Sequence, residues 1–337
     1  MTHLHYRPLL FILTLFLTLA GQAQTVLLTS NALKGTTYHN PIIKEDLPDP
    51  SIIRADNGYF YLYATGEKVW KSKDMINWQY VGFTFNRADH PTFVDGVDWY
   101  WAPDINKIND QYVLYFSLSL WGGGKTAGIG VATSKTPEGP FKPVGDGKLF
   151  VGSELGVENS IDQFYIEDGG KKYIIWGSFN GIYAIELSDD GLSLKPGAEK
   201  VRIGGTHFEG SYIYKRGNYY YYFGSINNCC DGADSRYTTV YARSTSLLGP
   251  YYNKTGGRLL DNNYEVLIQG NDRFVGTGHN AEFLEDKNGD TWITYHAYIK
   301  KEPERGRVVM LDRVLWKNDW PYVVGNQPSD EAPIPQW

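Results

Sequence analysis

Residues 47–66 read LPDPSIIRADNGYFYLYATG, and the order of features inside this stretch recurs four more times along the chain. The later versions are WAPDINKINDQYVLYFSLS (101–119), ENSIDQFYIEDGGKKYIIWGS (158–178), HFEGSYIYKRGNYYYYFGS (207–225) and GHNAEFLEDKNGDTWITYHAY (278–298). Each opens on an acidic or polar residue, runs through a short apolar strand, turns at Gly, Asn or Asp, and continues into an aromatic-rich strand. The acidic openers Asp49, Asp104, Asp162, Glu209 and Glu282 are separated by 55, 58, 47 and 73 residues. Helical periodicity is almost absent. A self-similar all-strand unit of this length predicts a blade of four antiparallel strands, and five units predict a five-bladed β-propeller around a central channel.

That architecture carries a chemical expectation. Each unit's first strand would be the innermost of its blade, so the residues that open these strands converge at one end of the channel. Carboxylates crowded there raise one another's pKa, an arrangement that costs stability and suits acid–base chemistry. Asp49 stands out because Pro48 and Pro50 flank it. The two rings limit its freedom and bias it toward an extended backbone.

Composition narrows the field further. The chain has 337 residues and a formal net charge of −6, with no basic tract, which argues against a nucleic-acid partner. Tyr, Trp and Phe number 26, 10 and 15, enough to build strand cores and to leave platforms for sugar rings. Residues 1–23 read as a secretory leader: Arg7, then the apolar run LLFILTLFLTLA (9–20), then the small residues Gly21 and Ala23. The run is too short for a membrane span. The expected mature protein is one exported domain, 24–337, secreted or periplasmic, monomeric and without a membrane anchor. The only cysteines are the neighbours Cys229 and Cys230. They read either as two thiols or as a bond between neighbours, which export favours. No zinc-binding spacing is present.

With the five motifs in order, the chain resembles glycoside hydrolase family 43, whose members are five-bladed propellers acting on arabinose- and xylose-containing polysaccharides. The resemblance rests on DPS (49–51), WAPDI (101–105), NSID (159–162), EGS (209–211) and GHN (278–280). It implies an inverting hydrolase with Asp49 as the general base, Glu209 as the general acid and Asp162 as the residue that raises the acid's pKa. An inverting enzyme places water between its base and the sugar and keeps its acid protonated near neutrality. Asp104 is expected to fix its own turn, and Glu282 has no role implied.

The segment NNCCDGADSRYTTVYARSTSLLGPY (227–251) is similar to arabinan-cleaving members. The resemblance implies an α-L-arabinofuranosyl substrate met by Asn159 and Ser178, with Trp101, Trp121 and Phe179 as stacking walls; for Trp121 and Phe179, packing between blades is the alternative. His279 matches a histidine that reaches a channel metal, usually calcium, largely through waters. By coordination chemistry alone it reads as a hydrogen-bonded channel residue, because calcium prefers oxygen. His296 reads as a core histidine. Gln163 and Ser211 stand where the family often has proline, and NDWP (318–321) where it has DGWP, which leaves internal against chain-end cleavage open. The remaining alternatives are a β-xylosidase, a galactofuranosidase or a non-catalytic sugar-binding propeller.

Overall fold

The computed structural model describes residues 36–97, 99–121 and 124–337; the expected leader lies outside them. These residues form an all-β protein. The first unit is the antiparallel sheet β2 (Ser51–Arg54), β3 (Phe60–Tyr63), β4 (Lys68–Ser72) and β5 (Trp78–Phe83). The second is β6 (Trp101–Ile108) to β9 (Lys142–Val151), and the third is β10 (Phe164–Asp168) to β13 (Val201–Gly204), each in sequential order. Of the remaining strands, β1 (Thr37–His39) and β23 (Glu331–Pro333) pair as a two-stranded sheet, and the other nine form one sheet. In it, β14 (Glu209–Arg216), β15 (Tyr219–Ile226), β16 (Thr238–Ser244) and β17 (Glu265–Ile268) make a fourth antiparallel set. A single parallel pairing, Thr238 with Thr277, joins it to the fifth set. That set holds β18 (Phe274–Gly278), β20 (Thr291–Ile299), β21 (Val308–Lys317) and β22 (Trp320–Tyr322). The short strand β19 (Leu284–Glu285) pairs beside it.

The second strand of each unit explains the aromatic content. FYLY in β3 is buried at all four positions, and QYVLYFSL (Gln111–Leu118) is buried at all but its first. A strand covered on both faces reads as a continuous apolar run rather than an alternation. Phe, Tyr and Trp fill the wide space between neighbouring sheets, as with Tyr115 stacked on Tyr165 at 5.8 Å.

One backbone feature repeats in every unit and was not legible in the sequence. Asp49, Ala102, Asp162, Gly210 and His279, one in each of the five sequence motifs, have φ of 56°, 38°, 60°, 58° and 48°. The expectation that Asp49 is extended is therefore wrong. Its left-handed conformation is held by tertiary bonds that outweigh the bias imposed by Pro50. In four of the five cases the N–H of this residue donates to a side chain near the end of the previous unit's second strand. Ala102 donates to Thr65 Oγ1 (2.8 Å), Asp162 to Ser117 Oγ (3.0 Å), His279 to Ser225 Oγ (2.8 Å) and Asp49 to His296 Nδ1 (3.1 Å). The fourth unit differs: Gly210 N–H donates to Asp162 Oδ2 at 3.1 Å. The succession of bonds runs from unit one to unit five and back to unit one.

Candidate active site

These turns sort the five acidic openers into two layers. Asp49 and Asp162 occupy the left-handed position itself and Glu209 precedes it, so all three carboxyl groups face one cavity of about 760 Å³. Asp104 and Glu282 fall two and three residues beyond it and lie deeper. There Asp104 Oδ2 accepts the Tyr165 N–H at 2.8 Å, and Glu282 accepts Ser51 Oγ and the Ile52 N–H, each at 2.6 Å. The two carboxyl groups also hydrogen-bond each other, and burial with mutual repulsion holds Asp104 well above the usual carboxylate range. This pair ties units one, two, three and five together. The expected turn-fixing role of Asp104 becomes a bond between units.

In the upper layer the carboxyls have opposite environments. Asp49 sits in a cage of cations and donors. Its Oδ1 lies 3.3 Å from Arg307 Nη1 and 3.2 Å from His279 Nδ1, and its Oδ2 accepts Thr65 Oγ1 at 2.7 Å. Burial works against its charge, but Arg307 and His279 outweigh burial and hold the group well below the ordinary range. Among the described residues, Glu209 has no such cation in contact. Burial first, then the charge of Asp162, push it up to about 7. Its Oε2 accepts Ser178 Oγ at 2.7 Å, and Ser178 Oγ in turn accepts Asn159 Nδ2 at 2.9 Å. Tyr237 also hydrogen-bonds Glu209. Asp162 is raised to about 6 by burial, against the pull of His279. Near neutral pH the cavity therefore offers one firmly ionised carboxylate, Asp49, and one carboxyl, Glu209, poised to give up its proton.

The cavity walls bring together every residue expected to meet substrate. Trp101, Trp121, Asn159, Ser178 and Phe179 all line it. Trp101 and Trp121 pack edge to face at 6.1 Å, and Trp121 remains 78% exposed, so one indole serves as both packing partner and open surface. The Oδ1 of Asn159 is buried without a partner among the described residues, and so is free for a ligand hydroxyl. Cys229 and Cys230 are joined to each other, which decides the question the sequence left open, and both face the same cavity.

Residues 38–321 match the profile of Glycosyl hydrolases family 43. The chain belongs to this family. It is accordingly a glycoside hydrolase. Among its relatives is the extracellular exo-α-(1→5)-L-arabinofuranosidase ArbA of Cellvibrio japonicus, 31% identical over 82% of this chain and 86% of that protein. Another is the extracellular endo-α-(1→5)-L-arabinanase 1 of Bacillus subtilis, 29% identical over 82% and 87%. The solved α-L-arabinanase of Cellvibrio cellulosa complexed with arabinohexaose superimposes with a TM-score of 0.75 at 30% identity, covering 82% of this chain and 95% of that one.

Asp49 and Asp162 outweigh burial and raise the pKa of His279 to about 9, so the ring is an imidazolium facing carboxylates. Calcium takes six to eight oxygens, and an imidazole ring supplies none. Among the described residues, no three His, Cys, Asp or Glu side chains group as a metal site. The donor set does not fit a calcium ion held by side chains, and no step is routed through one.

Four residues of this family-43 site escaped the sequence reading: Thr65, Tyr237, His296 and Arg307. Thr65 follows β3, Tyr237 precedes β16 and His296 lies inside β20, and all three look like ordinary strand residues. Arg307 lies far along the chain, before β21. The departures Gln163 and Ser211 have local roles: Gln163 Nε2 donates to Ala102 O at 2.5 Å, and Ser211 Oγ lies 3.1 Å from the Tyr222 hydroxyl. Either bond requires a polar side chain, which proline lacks.

Proposed function

We propose that this chain is an exported, inverting hydrolase of α-L-arabinofuranosyl linkages in arabinan or related plant polysaccharides. Asp49 acts as general base, Glu209 as general acid and Asp162 as the modulator of the acid. The five strand sets are read as five propeller blades of a single monomeric domain, 24–337, that follows the leader. The observation that carries the proposal is the contrast in protonation within one cavity: Asp49 stays ionised in its cation cage, while burial and Asp162 keep Glu209 protonated to about 7.

The chemistry follows from that contrast. Asp49 accepts a proton from a water molecule, which attacks the anomeric carbon. Glu209 gives its proton to the departing glycosidic oxygen, and the anomeric configuration inverts. The extra negative charge that Glu209 would carry after transfer meets the hydroxyls of Ser178 and Tyr237. Relatives named for arabinan linkages and for extracellular location support the substrate and the export.

The test pairs Glu209→Gln with product analysis. The substitution is expected to lower turnover of linear arabinan at least 10³-fold while leaving arabinooligosaccharide binding intact. Turnover within tenfold of wild type would overturn the assignment. Arabinose alone as wild-type product means chain-end action, and mixed oligomers mean internal cleavage. Activity confined to aryl β-xylosides or galactofuranosides would move the substrate to those sugars. A calcium ion near His279 would have to be held through waters; elemental analysis of the purified protein tests for one.

A further inference from the structure

A disulfide between sequence neighbours closes almost no chain, so loop closure gives it little stabilising effect. Its value lies in local shape. The segment 227–236 that carries it connects β15 to β16 and is bonded to itself along its length. Asn227 Nδ2 donates to Arg236 O (3.1 Å), the Arg236 N–H donates to Asn228 Oδ1 (3.1 Å), and Ser235 Oγ reaches the carbonyls of Asn228 (2.9 Å) and Cys229 (3.2 Å). Behind it, Gly276 leaves no room for a side chain: a Cβ there would lie 2.4 Å from Ser235 Oγ. The segment runs directly into Tyr237, the buried residue that bonds Glu209. The disulfide and the hydroxyl that bonds the proposed acid are thus set by one continuous piece of backbone.

Cys229 and Cys230 are half-buried and face the cavity, whereas the indoles of Trp101 and Trp121 belong to the second unit. Sulfur is soft and polarisable, and a disulfide asks for no hydrogen bond. It can therefore pack against the C–H face of a furanose ring, with Asn228 and Asp231 at its rim to meet hydroxyls. A general acid faces the departing sugar, so the wall that continues from Glu209's own sheet lies on the leaving-group side. Resting on the arabinan reading above, we propose that the Cys229–Cys230 disulfide is the wall of a leaving-group subsite, one that binds the arabinofuranosyl residues beyond the cleaved bond.

The experiment uses the inactive Glu209→Gln protein and calorimetry with linear 1,5-α-L-arabinotetraose and with free arabinose. Three samples are compared: disulfide intact, disulfide reduced by a water-soluble phosphine, and Cys229→Ser with Cys230→Ser. In the reduction the disulfide gains two electrons and two protons, and the phosphine leaves as its oxide with oxygen from water. Mass and near-ultraviolet dichroism verify reduction and fold, and the reduced sample serves if the serine variant does not fold. The expected result is that tetraose Kd weakens at least fivefold without the bond, while arabinose Kd shifts less than twofold. Equal tetraose affinity in all samples, or equal loss for both sugars, would overturn the subsite. Failure of wild type to cleave arabinan defeats the substrate reading and this inference together. Cleavage with equal affinities defeats the inference alone.

Discussion

His296 Nδ1 accepts the backbone N–H of Asp49 at 3.1 Å, across 247 residues of sequence, and so joins the last strand set to the first at the proposed base. The ring is fully buried and stacks on Tyr237 at 5.5 Å. One imidazole therefore steadies the base through a hydrogen bond and the partner of the acid through ring contact.

Because Nδ1 accepts, His296 must be neutral, and burial followed by Arg307 holds its pKa well below the usual value. Its substitution by Ala should free Asp49 from its left-handed turn and lower kcat about 10²-fold, the scale of a misplaced reacting group. Asn, whose Oδ1 can take the place of Nδ1, should restore at least a tenth of the wild-type kcat. Equal loss in both variants would mean that the ring only packs. The linkage sign is also fixed: below about pH 6.5 the unfolded chain takes up a proton that the native ring refuses. Stability thus falls with acid, and Ala at 296 should flatten that slope in a thermal melt.

Glu209 offers two substitutions with opposite signs. Asp162→Asn removes a neighbouring negative charge, so the acid should lose its proton more readily and the basic limb of kcat/KM should move below about 7. Tyr237→Phe removes a donor to the ionised form, so the same limb should move up, with a fall in kcat of about tenfold. Rates of arabinan hydrolysis from pH 5 to 9 read both shifts. Movement in the same direction would refute the assignment of Glu209 as the acid.

How far the sequence leads is visible in these residues. The strand units were legible because a doubly covered strand must be apolar throughout and its turns need Gly, Asn or Asp. The carboxylates Asp49, Asp162 and Glu209 were legible through their motifs. The registration of the openers was not, since Asp104 and Glu282 share the acidic character but sit past the left-handed turn. Local rules also misjudged Asp49, where a proline's bias toward extended backbone yields to the bond its N–H donates to His296. Latch residues such as Thr65 and Ser225 carry no local signature, because their partners belong to the next unit.

His279 gives a prediction about stability in alkali. Asp49 and Asp162 raise its pKa to about 9 from an ordinary 6.5, so the native state holds a proton that the unfolded chain gives up. This contribution is complete below pH 6.5 and is lost as pH rises to about 9. At about 1.4 kcal/mol per unit it amounts to on the order of 3 kcal/mol. His279→Gln should therefore lower Tm by several degrees at pH 6 and converge on wild type near pH 9.5. A constant difference across that range would show that the imidazolium contributes no such linkage.

The same imidazolium makes metal removal informative. If calcium were bound to the His279 ring, chelation would strip an ion and leave Asp49 and Asp162 facing a changed charge, with lost activity and a lower Tm. With His279 protonated between these carboxylates, dialysis against a chelator is expected to change kcat on arabinan by less than twofold and Tm by less than about 2 °C. Added calcium should then restore nothing, because the positive charge that Asp49 needs already comes from His279 and Arg307. A fivefold loss reversed by calcium would place an ion in the channel and overturn this expectation.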